Sequence, residues 1–306
     1  MKSRLYLLAP NGNDFSDAQV AAIKKHYDEF VYVDKAMDWS DLPGINDDCE
    51  KVFAVDPDFC DWDIPNHALD TAGLRAVCLD TTSYSWVDLE YAKSRNIAVT
   101  NVKYYSTDSV AETGILMAMS VAKKLPLLAQ NNMEMDHEAM RGVELRGKTA
   151  GIIGLGHIGS RLAELCLAMG MKVVYWSQKS GDGRFEKVQL ADIFTRADVI
   201  FPALLKNEET SALITDAMLS SMKPGAMFID VSGNMLHNHE LLLEMAVGGR
   251  IYGYGFEESP VKTYAGNVLA LPFIAYYTDE AMARNTAQWL ECILSVKNGD
   301  VKNKLN

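Results

Sequence analysis

Between residues 149 and 177 the chain reads TAGIIGLGHIGSRLAELCLAMGMKVVYWS, in which Gly154, Gly156 and Gly159 form G-x-G-x-x-G. The glycines follow a β-type apolar run and precede a segment of helical periodicity. A second β-run then closes a stretch of one β-α-β length. Each glycine has its own physical job. The first permits a tight turn, the second lets a pyrophosphate approach the backbone, and the third lets helix and strand pack closely. Free N–H groups and the positive end of the helix dipole then hold the anion. In this context the motif reads as a dinucleotide site, with a merely structural turn as the alternative. His157 and Ile158 lie inside the contacting stretch, where backbone rather than the His157 side chain meets the phosphates.

The surrounding sequence repeats the same alternation. In the first hundred residues β-rich runs (RLYLLA, FVYVD, KVFAV, LRAVCL, IAVTN) are separated by helix candidates such as DAQVAAIKKHYDE and WVDLEYAKSRN. From Thr107 the run TDSVAETGILMAMSVAKKL has helical spacing, with Ser109 and Glu112 placed as a capping box. A second set follows: TAGIIGL, KVVYWS, DVIFPAL, AMFIDVS, RIYGYGF and NVLALP. Such alternation predicts an α/β fold with two Rossmann-like domains built on parallel sheets. Residues 1–104 are expected to form a substrate-type, flavodoxin-like domain onto which 283–306 fold back. Residues 105–282 are expected to form the dinucleotide-binding domain.

Cofactor choice is read at the end of the second strand of the β-α-β unit, where a carboxylate would accept bonds from the ribose hydroxyls of NAD and repel the extra phosphate of NADP. The chain has Trp176, Ser177, Gln178, Lys179 and Ser180 there. A hydroxyl and a lysine suit a 2′-phosphate, so NADP(H) is favoured over NAD(H), unless Lys179 is only a solvated loop residue.

Composition narrows the partners. A formal charge of −12 over 306 residues argues against a grip on nucleic acid or anionic membrane and leaves small molecules or proteins. The five cysteines, Cys49, Cys60, Cys78, Cys166 and Cys292, show no C-x-x-C pair and no zinc spacing, the usage of a reducing compartment. With no signal-like start and no apolar run of membrane length, the expectation is a cytoplasmic protein without a bound metal.

Taken together, WVDLEYAKSRNIAVTNV, STDSVAE, GLGHIG, ADVIFPALLKNEETSALIT, MKPGAMFIDVS and LPFIAYYTDEAM resemble the D-isomer-specific 2-hydroxyacid dehydrogenases over nearly the whole chain. The resemblance implies a catalytic-type cleft between two domains, a small-molecule substrate and a homodimer. It also implies three catalytic groups that this chain lacks. The arginine that binds the substrate carboxylate falls at Gly233, and the general acid/base histidine falls at Phe273. The loop that carries the family's glutamate is shortened; Glu257 takes the place of an aspartate facing the nicotinamide amide, and Glu258 lies near without matching. Losing a general acid/base forfeits ~10²–10⁴-fold in rate, so the family's usual chemistry by its usual groups is not expected.

Other side chains fall around the expected substrate space. Ser83 and Tyr84 lie in TTSYSW, Lys103 and Tyr104 in NVKYYS, and Tyr276 and Tyr277 follow Phe273. One reading is a rebuilt pocket in which Lys103 pairs with an anion and a tyrosine such as Tyr277 supplies the proton. The other is aromatic filling of a shed site. His237 and His239 invite the same two readings, as replacement acids or as residues at a helix start, and Glu258 would serve as an acid if buried. Two functions therefore compete: an NAD(P)-dependent oxidoreductase of a small 2-hydroxy or 2-oxo acid through a non-standard catalytic group, and a catalytically inactive NADP(H)-binding pseudoenzyme that senses or scaffolds.

Overall fold

The computed structural model describes residues 2–306 apart from 11, 13, 206, 208 and 233–235. Five parallel strands organise the first unit, Met1–Tyr105 with Asp279–Asn306. They are β1 (Ser3–Leu8), β2 (Glu29–Val33), β3 (Glu50–Val55), β4 (Leu74–Leu79) and β5 (Ala98–Thr100), in the order β2-β1-β3-β4-β5. Helices α1 (Asp17–His26), α2 (Asn66–Leu69) and α3 (Leu89–Ser94) connect them. Strand periodicity of two divides the core. Tyr6, Leu8, Phe53, Val55 and Val77 face one side, and Leu5, Leu7, Val52, Ala54 and Cys78 face the other.

Two helices here are shorter than their sequence patterns. Helix α1 stops before Tyr27, which turns extended and buries its ring while its hydroxyl donates to Ile293 O at 2.6 Å. Helix α3 starts only after Asp88, whose carboxylate caps it by accepting the Tyr91 N–H. Trp86 and Val87 are consumed by the core instead.

The second unit, Ser106–Thr278, begins with α4 (Thr107–Ala122) and α5 (Leu125–Gln130). There follow β6 (Thr149–Ile153), α6 (His157–Ala168), β7 (Lys172–Trp176), β8 (Glu186–Lys187), α7 (Leu190–Arg196) and β9 (Val199–Pro202). Then come α8 (Asp216–Ser220), β10 (Met227–Ile229), α9 (His239–Val247), β11 (Gly253–Glu257) and β12 (Val268–Leu271). The sheet runs β12-β11-β10-β9-β6-β7-β8 with parallel pairs, doubly wound, and its order reverses between β9 and β6. Met117, Val121, Leu162 and Cys166 cover one face, while Ile193, Phe194, Leu219 and Leu242 cover the other.

The expected capping box on α4 does not form. Ser106 is the N-cap, and Ser109 lies buried inside the first turn, where its hydroxyl donates to Ala275 O. A buried hydroxyl facing a free carbonyl takes that partner in preference to a cap that the helix start no longer needs. The two-residue edge strand β8 has too little sequence to show periodicity.

The last helix, α10 (Asp279–Asn298), belongs to the first unit. It presents Ala281, Asn285, Trp289, Cys292 and Ile293 at helical spacing to the first unit. The Trp289 indole donates to Cys78 O at 2.8 Å, and the Asn285 amide donates to Asp80 O at 2.6 Å.

Candidate functional site

The turn from β6 into α6 lies beside the point where the second sheet reverses its order, and its three glycines differ in why they must be glycine. Gly154 has φ +96°, and a Cβ there would sit 2.6 Å from Ala203 O. A Cβ on Gly159 would sit 1.9 Å from Gly154 O. Both are demanded by the fold itself. At Gly156 a Cβ would meet nothing within 4 Å, and the backbone is in an ordinary extended conformation. Nothing in the protein excludes a side chain at the middle glycine, and open space lies beside it. As N-cap of α6, Gly156 makes no side-chain cap to the first-turn N–H groups. A groove of about 440 Å³ opens there, lined in part by Leu155, Gly156, His157, Ser160 and Ser180. His157 is exposed at the first turn, and Ile158 is half-buried against the core.

At the end of β7, Ser177 is buried and its hydroxyl accepts the Ser180 N–H at 3.2 Å, so it shapes the loop that carries Lys179. Lys179 is exposed, with its Nζ 3.9 Å from Glu209 Oε2. An exposed pair at that distance holds the ammonium only weakly.

The residues expected around a substrate fall on both units. In the first, Ser83 offers its carbonyl to the Thr81 hydroxyl and the Trp86 indole, and Tyr84 is exposed. The Lys103 N–H donates to Gln288 Oε1 at 3.1 Å, with its side chain half-buried, and Tyr104 is exposed in the left-handed region at φ +61°. In the second unit Phe273 and Tyr277 are exposed. Gly233 lies outside the described residues.

Three residues weighed from the sequence are held in internal contacts. Glu257 is buried and turned inward, accepting the N–H groups of Ile274 (2.8 Å) and Ala275 (2.7 Å) through one oxygen. Burial raises its pKa against the pull of those two donors. Through that oxygen it anchors the Phe273 segment. Glu258 is also buried, but it accepts from Lys262 N and the Tyr264 hydroxyl, both at 2.8 Å, and closes its own loop instead of standing as a free acid. His237 has a fully buried side chain, 0% exposed, so direct contact with a substrate is closed to it.

What surrounds His237 was not legible beforehand. Its Nε2 lies 2.7 Å from the Tyr254 hydroxyl, which lies 3.0 Å from His239 Nδ1. On the other side His237 Nδ1 faces Asp230 Oδ2 at 3.9 Å and has no hydrogen-bond partner. Asp230 in turn accepts the N–H and hydroxyl of Ser232. Burial lowers the pKa of His237, against the pull of Asp230, and that of His239; it pushes Tyr254 well above the ordinary phenol range. The sequence signal was slight: a tyrosine inside one strand, β11, and an aspartate directly after another, β10.

Residues 115–275 match the model of the D-isomer specific 2-hydroxyacid dehydrogenase, NAD binding domain. Hydroxypyruvate reductase of Thermotoga maritima is 29% identical over 221 residues, 68% of this chain and 72% of that protein. D-3-phosphoglycerate dehydrogenase of Archaeoglobus fulgidus is 29% identical over 236 residues, 72% of this chain but 45% of that protein. Among solved structures, an acyclic imino acid reductase in complex with NADPH and D-Arg superimposes with TM-score 0.83 at 22% identity, covering 99% of this chain and 100% of the other. D-lactate dehydrogenase with NAD+ from Lactobacillus jensenii gives 0.79 at 19% identity, covering 99% of each.

Proposed function

The chain belongs to the D-isomer specific 2-hydroxyacid dehydrogenase family, and on that premise we propose that it is an NADP(H)-linked oxidoreductase of a small 2-oxo or 2-hydroxy acid, or a close analogue, working through a non-standard catalytic group. The observation that carries the reading is Gly156: the fold leaves open space at the start of α6 where a pyrophosphate would approach. A nicotinamide dinucleotide bound there supplies the hydride. The N–H groups of α6 hold its phosphates, while Ser177 shapes the loop that presents Lys179 to a 2′-phosphate. Residues 176–180 bear no carboxylate, which supports NADP(H) over NAD(H). The relatives reduce or oxidise 2-oxo and 2-hydroxy acids by their names, and one structural neighbour was solved with NADPH.

Failure of the family's groups at Phe273 and the inward turn of Glu257 and Glu258 favour a second reading, an inactive NADP(H)-binding pseudoenzyme. A homodimer is part of the proposal. Leu116 and Met119, one turn apart on α4, are exposed apolar residues that a second copy would cover. So is a cytoplasmic location, in keeping with five free cysteines. Among the described residues no helix is long and apolar enough to cross a membrane.

Titration of the purified protein with NADPH and NADH, followed by turnover with a panel of 2-oxo acids, tests the proposal. Binding with turnover, both lost in Gly156→Leu, is the expected result. Binding without turnover transfers the protein to the pseudoenzyme reading, and no binding of either dinucleotide defeats both.

A further inference from the structure

Between β10 and α9, Ser232, Asp230, His237, Tyr254 and His239 form one polar path through an otherwise apolar part of the second unit. Both of its ends, Ser232 and His239, are half-buried, whereas the middle is closed off: the side chains of Asp230 and His237 are 2% and 0% exposed. Phe228 and Phe256 pack their rings edge-on against His237 and His239 at 4.8 and 4.7 Å. Burying this many polar atoms among aromatic rings is unfavourable unless they are joined.

The order of donors follows from charge. Neutral imidazole has one donor and one acceptor nitrogen, and Tyr254 has one proton. With a carboxylate in front of Nδ1, the His237 proton belongs on that nitrogen. Nε2 then accepts the Tyr254 hydroxyl, and the Tyr254 oxygen accepts His239 Nδ1–H. The alternative puts the Nδ1 lone pair against Asp230. The one break in the path is the 3.9 Å between His237 Nδ1 and Asp230 Oδ2, and charging His237 would draw the pair together by about 1 Å into hydrogen-bond range.

We propose that this array is a proton relay, and that the Ser232 hydroxyl is the group that protonates the oxygen of a reduced carbonyl. The inference rests on the oxidoreductase reading and supplies an acid in a chain with Phe273 in the histidine's place. Ser232 immediately precedes position 233, where the family resemblance sets the substrate-binding arginine. In each turnover one proton leaves Ser232 Oγ as the O–H bond of the product forms. Asp230 returns a proton to Ser232, His237 Nδ1 returns one to Asp230, Tyr254 protonates His237 Nε2, His239 Nδ1 protonates Tyr254, and solvent protonates His239 Nε2. After the product leaves, the same steps run backwards, a solvent proton entering at Ser232 and one leaving from His239 Nε2, and the starting tautomers return; each turnover thus consumes one solvent proton. Ser232 is the catalytic residue in this scheme, and the other members position and refill it.

The groups facing the relay are few. Asp230 comes from the end of β10, Glu240 from α9, and Glu258, Lys262 and Tyr264 from β11 and the loop beyond it. Burial lowers the affinity of both histidines for a proton, so the loaded relay gains population as pH falls through and below the ordinary histidine range. Reduction should be faster on the acid side.

The intact protein with NADPH and the 2-oxo acid it turns over fastest provides the test. Tyr254→Phe removes only the hydroxyl joining the two rings, and Ser232→Ala removes the terminal donor from a half-buried position. For each, kcat is followed from about pH 5 to 9, across the histidine range, beside NADPH binding and NMR titration of the histidine rings. Both variants should lose ~100-fold in kcat together with the acid-side gain of the wild type, while NADPH affinity changes less than about 2-fold. In the wild type His237 and His239 should titrate as a linked pair, and Tyr254→Phe should uncouple them. Unchanged kcat and pH profile in Ser232→Ala, or independent titration of the two histidines, overturns the relay while leaving the oxidoreductase reading intact. A wild type that turns over no 2-oxo acid overturns that reading, and the relay's catalytic role with it.

Discussion

The β6–α6 turn and the segment from β11 to Tyr277 both carry positions that the family resemblance marks for function, yet they treat polar groups in opposite ways. At the turn, no side chain caps the start of α6, and a Cβ at Gly156 would stand in open space. From β11 onward the carboxylates are spent inside the protein: Glu257 holds two N–H groups of the Phe273 segment, and Glu258 holds Tyr264 and Lys262. One region leaves open space at its surface, whereas the other turns its carboxylates onto its own backbone and side chains.

Substitutions can break this contrast. The largest effect is expected at Gly159, where valine places a Cβ against backbone that has nowhere to go; a loss of about 3 kcal/mol, read by denaturant unfolding, is the expected outcome. A stability within about 0.5 kcal/mol of wild type would mean that the turn is not as tight as its geometry. Next, Glu257→Ala leaves two N–H groups without their acceptor and should cost about 2 kcal/mol. By contrast, Gly156→Ala should leave the melting temperature nearly unchanged while weakening NADPH binding by more than ~10-fold, about 1.4 kcal/mol, which isothermal titration separates cleanly.

The pH dependence sharpens the same comparison. Because burial raises the pKa of Glu257, its folded state holds a proton that the unfolded chain releases. Its contribution is thus present below the ordinary carboxylate value and is lost as pH rises through the folded one. The stability advantage of wild type over Glu257→Gln should shrink as pH rises above the ordinary carboxylate value; an advantage that grows would mean that the two N–H donors outweigh desolvation. The smallest stability effect belongs to Lys179→Ala, under about 0.5 kcal/mol for an exposed pair. Its signature is instead a reduced preference for NADPH over NADH, and an unmoved preference would remove Lys179 from cofactor choice.

Much of the fold was readable because it is periodic. The strand runs RLYLLA and KVVYWS alternate or run apolar as parallel strands must, and three glycines at fixed spacing have one common use. The candidate site was less legible for a physical reason. Whether Glu257 faces a ligand or a backbone N–H depends on where residues 274 and 275 return, seventeen and eighteen positions later. Likewise, His237 and Tyr254 meet only because α9 lies over β11, and no local pattern announces a hydroxyl between two histidines. Ser109 looked like a cap because its spacing to Glu112 is that of a capping box; its actual partner, Ala275, is far along the chain.

The clasp between α10 and the first sheet has a consequence for biosynthesis. The bonds from Trp289 to Cys78 and from Asn285 to Asp80 close loops of 211 and 205 residues. As the chain emerges from the ribosome, residues 106–278 can gather their whole core before α10 appears, whereas the sheet of residues 3–100 must wait with one apolar face covered only in part, by α1. The part made first is the part finished last, and during that interval it is the segment most in need of a chaperone.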